Sequence, residues 1–191
     1  MRSYDDNKNV MKTISDHILD IAQNSIKAGA SDMLIALKES AGELVLLVED
    51  DGCGMDEETV KRVTDPFYTT RTTRKVGMGI PLLKQNAEQT GGNVKLTSEP
   101  GEGTTLAAKF ITSNIDCPPL GDVYVTVALL ITGNPDVNII FRYIRDEEKF
   151  ELSTNDVKEA MGDMDISRPK VTSFLRDMIR ENLAGMGVSF D

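Results

Sequence analysis

The chain of 191 residues is long enough for one full domain or for a domain with a small appendage, and 40% hydrophobic with 27% charged residues supports a buried core. Lys and Arg total 21 against 31 Asp and Glu, a net charge of −10 that supplies no positive field for a nucleic acid or an anionic membrane. Two cysteines, Cys53 and Cys117, and one histidine, His17, cannot furnish a four-ligand zinc site without carboxylates, and they do not describe a disulfide scaffold.

In chain order, the apolar spacing of Val10, Met11, Ile14, Ile18, Ile21, Ala22 and Ser25 predicts a helix over 10–28, ended by the Ala-Gly-Ala of 28–30. Two short apolar runs, Met33 to Leu37 and Leu44 to Val48, then read as a β-hairpin. Asp56 is placed to cap a short helix over 57–63. Residues 64–76 are polar, rich in Thr and Arg and interrupted by Pro66, a loop longer than a simple connection requires. A second long helix is expected from Gly79 to Gly91-Gly92, followed by strands at 93–98 and 104–111. This order of elements predicts an α+β fold, a two-layer sandwich of helices on one face of a mixed sheet.

The Cys117-Pro-Pro-Leu-Gly121 segment reads as a hinge, dividing the chain into residues 1–112 and a small α+β region over 113–191. Within the second region, Val123–Ile131 and Val137–Ile144 read as strands, and helices are expected near 154–161 and 168–184. Met161, Met164 and Met178 are expected to pack a small core there.

Four stretches carry chemistry. On the first helix, His17, Asp20, Asn24 and Lys27 fall on one polar stripe, and an amide beside an ammonium suits a metal–polyphosphate. Alone, that stripe is what any solvated helix face presents. Val48 leads from an apolar strand into a D-x-G-x-G turn of Asp50, Gly52 and Gly54, where a carboxylate can accept from an exocyclic amine and glycines admit a flat ring. Gly77-Met-Gly79 opens a helix with free N–H groups suited to phosphate. It is neither a dinucleotide fingerprint nor a Walker loop, since Leu82 stands where the third glycine would fall and no Gly-Lys-Ser/Thr occurs. The last stretch is the turn Gly101-Glu-Gly-Thr-Thr105.

Together, in this order and spacing, these pieces resemble the GHKL family of ATP-binding domains (gyrase, heat-shock chaperone, histidine kinase, MutL). Asp20-Ile-Ala-Gln-Asn-Ser-Ile-Lys-Ala-Gly-Ala30 looks like the N box, and Asp50-Asp-Gly-Cys-Gly54 is similar to the first glycine box. Asp65-Pro-Phe-Tyr-Thr-Thr-Arg71 resembles the F box of sensor kinases, while Gly77-Met-Gly79 and Gly101-Glu-Gly-Thr104 match the remaining glycine boxes. The resemblance covers 17–110 and implies the Bergerat fold, with ATP and Mg²⁺ as cofactors. It implies that Asn24 ligates Mg²⁺, that Asp50 bonds the adenine amine, and that Gly52 and Gly54 make room for the base. Phosphates would fall to Gly77, Gly79 and Lys27, and Thr104 or Thr105 would support water near adenine. The loop 64–76 becomes an ATP lid, with Arg71, Arg74 and Lys75 as phosphate contacts.

Family members that hydrolyse ATP efficiently carry a glutamate where this chain has Asp20, one methylene shorter, so Asp20 is the expected catalytic carboxylate of a weak ATPase. His17, one turn earlier, is within reach to assist it, although a lone histidine on a helix is more often structural or merely exposed. The resulting expectation is a Mg-ATP-binding regulatory protein that acts on an unidentified partner protein, with a homodimer left open. The alternatives are a module phosphorylating a His or Ser on a partner chain, or a nucleotide-gated interaction module without turnover. With no signal-like N-terminus and no apolar stretch near 20 residues, the expected place is the cytoplasm, without membrane or nucleic-acid partners.

Overall fold

A computed structural model describes residues 11–64 and 79–191. Helix α1 (Ile14–Lys27) starts at Thr13, whose hydroxyl accepts from the Asp16 N–H while the Asp16 carboxylate accepts from the Thr13 N–H, a reciprocal cap. Its buried face holds Ile14, Ile18, Ile21 and Ala22, and each isoleucine so covered contributes about 1.5–3 kcal/mol. Hairpin β1 (Asp32–Ser40) and β2 (Glu43–Asp50) follows, then α2 (Glu57–Thr64), α3 (Gly79–Gln89), and hairpin β3 (Asn93–Glu99) and β4 (Gly103–Ile111).

The run Val123–Ile131, expected as a strand, is helix α4 (Val123–Gly133). Its residues are apolar throughout, so no period distinguishes a buried helix from a strand, and packing between α1 and α6 decides. Beyond it lie β5 (Asn138–Arg145), β6 (Glu148–Ser153), α5 (Thr154–Met161) and α6 (Pro169–Gly185). Strand β6, Glu-Lys-Phe-Glu-Leu-Ser, was not among the expected elements, because it carries only two apolar side chains. Met161 and Met178 pack against the core as expected, whereas Met164 is exposed.

The strands form one mixed sheet in the order β3-β4-β2-β1-β5-β6. β1 and β5 run parallel, with Met33 beside Ile139 and Ile35 beside Phe141; the other pairs are antiparallel. Alternation turns Met33, Ile35, Leu37, Leu44, Leu46, Val48, Leu106, Ala108, Phe110, Ile139 and Phe141 to one face, where the helices cover them. Residues 113–191 therefore extend the sheet and the helix layer built by the first half. The Cys117–Gly121 segment is docked rather than free, since the Ile14 and Ser15 N–H groups donate to the Pro119 and Leu120 carbonyls. No described helix is long and apolar enough to cross a membrane.

Candidate functional site

Between α1 and the ends of β2 and β4 lies a cavity of about 270 Å³. Ile21, Val48, Leu96 and Leu106 form apolar walls, and Asn24, Ser25, Asp50 and Thr104 supply polar atoms. Strand β2 delivers Asp50 to this place. The Ser25 hydroxyl donates to Asp50 Oδ2 at 2.6 Å and the Gly52 N–H donates to Oδ1 at 3.0 Å, so both carboxylate oxygens are held in place. Each oxygen keeps a second lone pair for a ligand. Ser25 is buried on the apolar face of α1, which made it read as a core position in the sequence. Only its distance to Asp50, 25 residues on, reveals its role.

The glycine turn is locked from three sides. The Cys53 N–H donates to the Ala28 carbonyl at the end of α1, and the Gly101 N–H donates to the Cys53 carbonyl. The Met55 N–H donates to Ser98 Oγ, which in turn lies 3.0 Å from Thr104 Oγ1. Gly54 has φ +63°, and a Cβ there would stand 1.9 Å from the Glu99 carbonyl oxygen. That close approach admits glycine alone. Behind the turn, Asp51 Oδ1 accepts from the Asp32 and Ser31 N–H groups, which hold its carboxyl below the usual range.

Asp20 and Asn24 stand together one helical turn apart, with Asn24 Nδ2 donating to Asp20 Oδ2 at 3.2 Å. This leaves the Asn24 amide oxygen as the atom free for a cation. Helix α3 begins directly against the pair, for a Cβ on Gly79 would lie 1.8 Å from Asp20 Oδ2. His17 does not share their setting. It is buried, its Nε2 lies 2.9 Å from Asn86 Nδ2 of α3, and Nδ1 has no partner among the described residues. Desolvation, opposed by nearby Asp16, lowers its pKa to about 4. The expected help to Asp20 is thus corrected: the imidazole is spent on the α1–α3 seam.

Lys27 is also separated from the cavity. It lines a groove on the other flank of α1, facing α4. Gly52 sits behind the cavity, where its missing Cβ makes room for Asp50 Oδ1 at 2.9 Å. Arg71, Arg74, Lys75 and Gly77, and all of the 64–76 loop after Thr64, lie outside the described residues.

The family described as histidine kinase-, DNA gyrase B- and HSP90-like ATPase matches residues 10–114, more than half of the chain. The chain belongs to this ATPase family. Curated relatives of the ATPase domain include the sensor histidine kinase YxdK of Bacillus subtilis, 34% identical over 99 residues, 48% of this chain and 30% of the kinase. The sensor protein SrrB of Staphylococcus aureus is 31% identical over 113 residues, 56% of this chain and 19% of the sensor. The matched stretch is therefore less than a third of either relative. A crystal structure of the N-terminal domain of a DNA repair protein is alike with a TM-score of 0.59 at 14% identity, covering 83% of this chain and 59% of that one. At that identity the likeness is one of fold. Its extent exceeds what residues 1–114 can supply, so the shared fold reaches into the second half of this chain.

Proposed function

We propose that this chain binds Mg-ATP and that nucleotide occupancy regulates a partner protein. One observation carries the reading: a carboxylate, Asp50, is fixed at the wall of an apolar cavity beside the Gly54 backbone cradle. Such a cavity accepts a flat ring, and a carboxylate there accepts from an amine but repels a carbonyl, which favours adenine over guanine. When bound, Mg²⁺ would neutralise phosphate charge. Among the described residues no group of three or more His, Cys, Asp or Glu could hold a metal. The donor set therefore suits a cation held by the Asn24 amide oxygen together with phosphate and water, the usual habit of Mg²⁺.

The phosphates would meet the first turn of α3 at Gly79, with the 64–76 segment as the lid that Arg71, Arg74 and Lys75 tie to them. Asp20 stands at this end, where it can orient an attacking water, and slow hydrolysis is the expected activity. The likeness to sensor kinases favours a second reading, transfer of the γ-phosphate to a partner. His17 is no acceptor for it, being buried and bonded to Asn86. Titration calorimetry with Mg-ATP and Mg-GTP tests the binding: ATP is expected to bind and GTP to fail, and equal affinity for both would contradict the Asp50 role. Incubation with γ-labelled ATP and candidate partners separates the activities, free phosphate indicating hydrolysis and a labelled chain indicating transfer.

A further inference from the structure

Helix α4 carries no charged residue over Val123–Gly133. A helix apolar on every side belongs in an interior. Most of α4 obeys this between α1 and α6, but Val125 is only half-buried and Leu129 is 53% exposed. These two lie four residues apart and form one outward stripe. Beside that stripe, α1 turns the half-buried Leu19 and Ile26 into a groove of about 370 Å³. Lys27 also lines this groove. It is exposed, and it has no carboxylate partner among the described residues. Many other cations of this acidic chain are paired on the surface, such as Lys109 with Glu43 and Arg142 with Glu151.

We propose that the α1–α4 groove docks a segment of a partner protein that presents a bulky apolar side chain beside a carboxylate. The apolar group covers Leu129 and Ile26, and the carboxylate pairs with Lys27 at the edge of a surface from which it has displaced water. Charge complementarity selects this occupant. A second copy of the chain, groove against groove, offers Lys27 no carboxylate, since no acidic side chain lines the groove. The proposal stands apart from the nucleotide reading, because Ile21 and Ser25 face the cavity while Leu19 and Ile26 face the groove. Helix α1 is nonetheless a wall of both.

The test is selection of short random peptides displayed on phage against the full chain. Winners are then synthesised and measured by fluorescence polarisation. Enrichment of Leu, Ile or Phe next to Asp or Glu is expected, with affinity falling about tenfold or more in Lys27→Glu and in Leu129→Arg. A peptide with Lys in place of its acid should regain affinity for Lys27→Glu, which a merely structural lysine would not produce. Leu129→Arg should leave the melting temperature unchanged. Winners without an acidic residue, winners indifferent to both substitutions, or no winners at all would overturn the proposal. Sedimentation as a dimer that Leu129→Arg disperses would overturn it in favour of self-association.

Discussion

Ser25 and Asp50 share a 2.6 Å hydrogen bond that joins the buried face of α1 to the end of β2. Through it the helix that carries Asn24 also orients the Asp50 carboxylate at the cavity wall. Ser25→Ala leaves Asp50 with the Gly52 N–H alone and frees its side chain to rotate. A hydrogen bond to a charged group is worth about 1.5–3 kcal/mol, so ATP affinity should drop roughly tenfold or more. Calorimetry should also record a smaller preference for ATP over GTP. An unchanged preference would make Ser25 a packing residue only.

Two glycines with positive φ provide a contrast in stability. Gly54 (φ +63°) has the Glu99 carbonyl oxygen 1.9 Å from where a Cβ would sit, whereas a Cβ on Gly101 (φ +82°) meets nothing within 4 Å. Gly101→Ala should cost only the backbone strain, about 1–2 kcal/mol. Gly54→Ala must also push the β3–β4 turn away, and should lower the melting temperature further and abolish nucleotide binding. Thermal denaturation of the two variants side by side checks the order.

Hydrolysis tests the pairing of Asp20 with Gly79. Asp20→Asn should reduce turnover by about 10²–10⁴-fold and leave ATP affinity nearly intact, as expected for a group acting on the attacking water. Gly79→Ala should approach the same loss by displacing the carboxylate, since its Cβ would fall 1.8 Å from Asp20 Oδ2. Asp20→Glu has little room to extend toward α3 and should not raise turnover. Phosphate release under single-turnover conditions separates these outcomes.

The buried imidazole predicts an acid limb in stability. Burial lowers the His17 pKa from 6.5 to about 4, so between these values the unfolded chain binds a proton that the folded chain refuses. Stability attributable to this site is complete above pH 6.5 and falls as the pH drops toward 4, by about 1.4 kcal/mol per pH unit. Urea denaturation at stepped pH should show that slope in the native protein. His17→Gln should flatten it, and parallel slopes in the two would contradict the assignment.

The family motifs and most elements of the first half were legible in the sequence, because short-range patterns carry them. Periodicity marks α1, short apolar runs mark β1 and β2, and glycines mark the turns where Gly54 and Gly103 have positive φ. The resemblance likewise rested on local strings such as Asp50-Asp-Gly-Cys-Gly54. What tertiary structure decided lies at long sequence separation. Val123–Gly133 is a helix because α1 and α6 enclose it, and a uniformly apolar run has no period to say so. β5 is part of the same sheet because Ile139 and Phe141 register beside Met33 and Ile35, a parallel pairing across more than a hundred residues. Sequence analysis put Ser25 on the apolar face of α1 and His17 on its polar stripe, yet both are buried. Packing brings the Ser25 hydroxyl to Asp50 and the His17 Nε2 to Asn86, partners that only the fold places within reach.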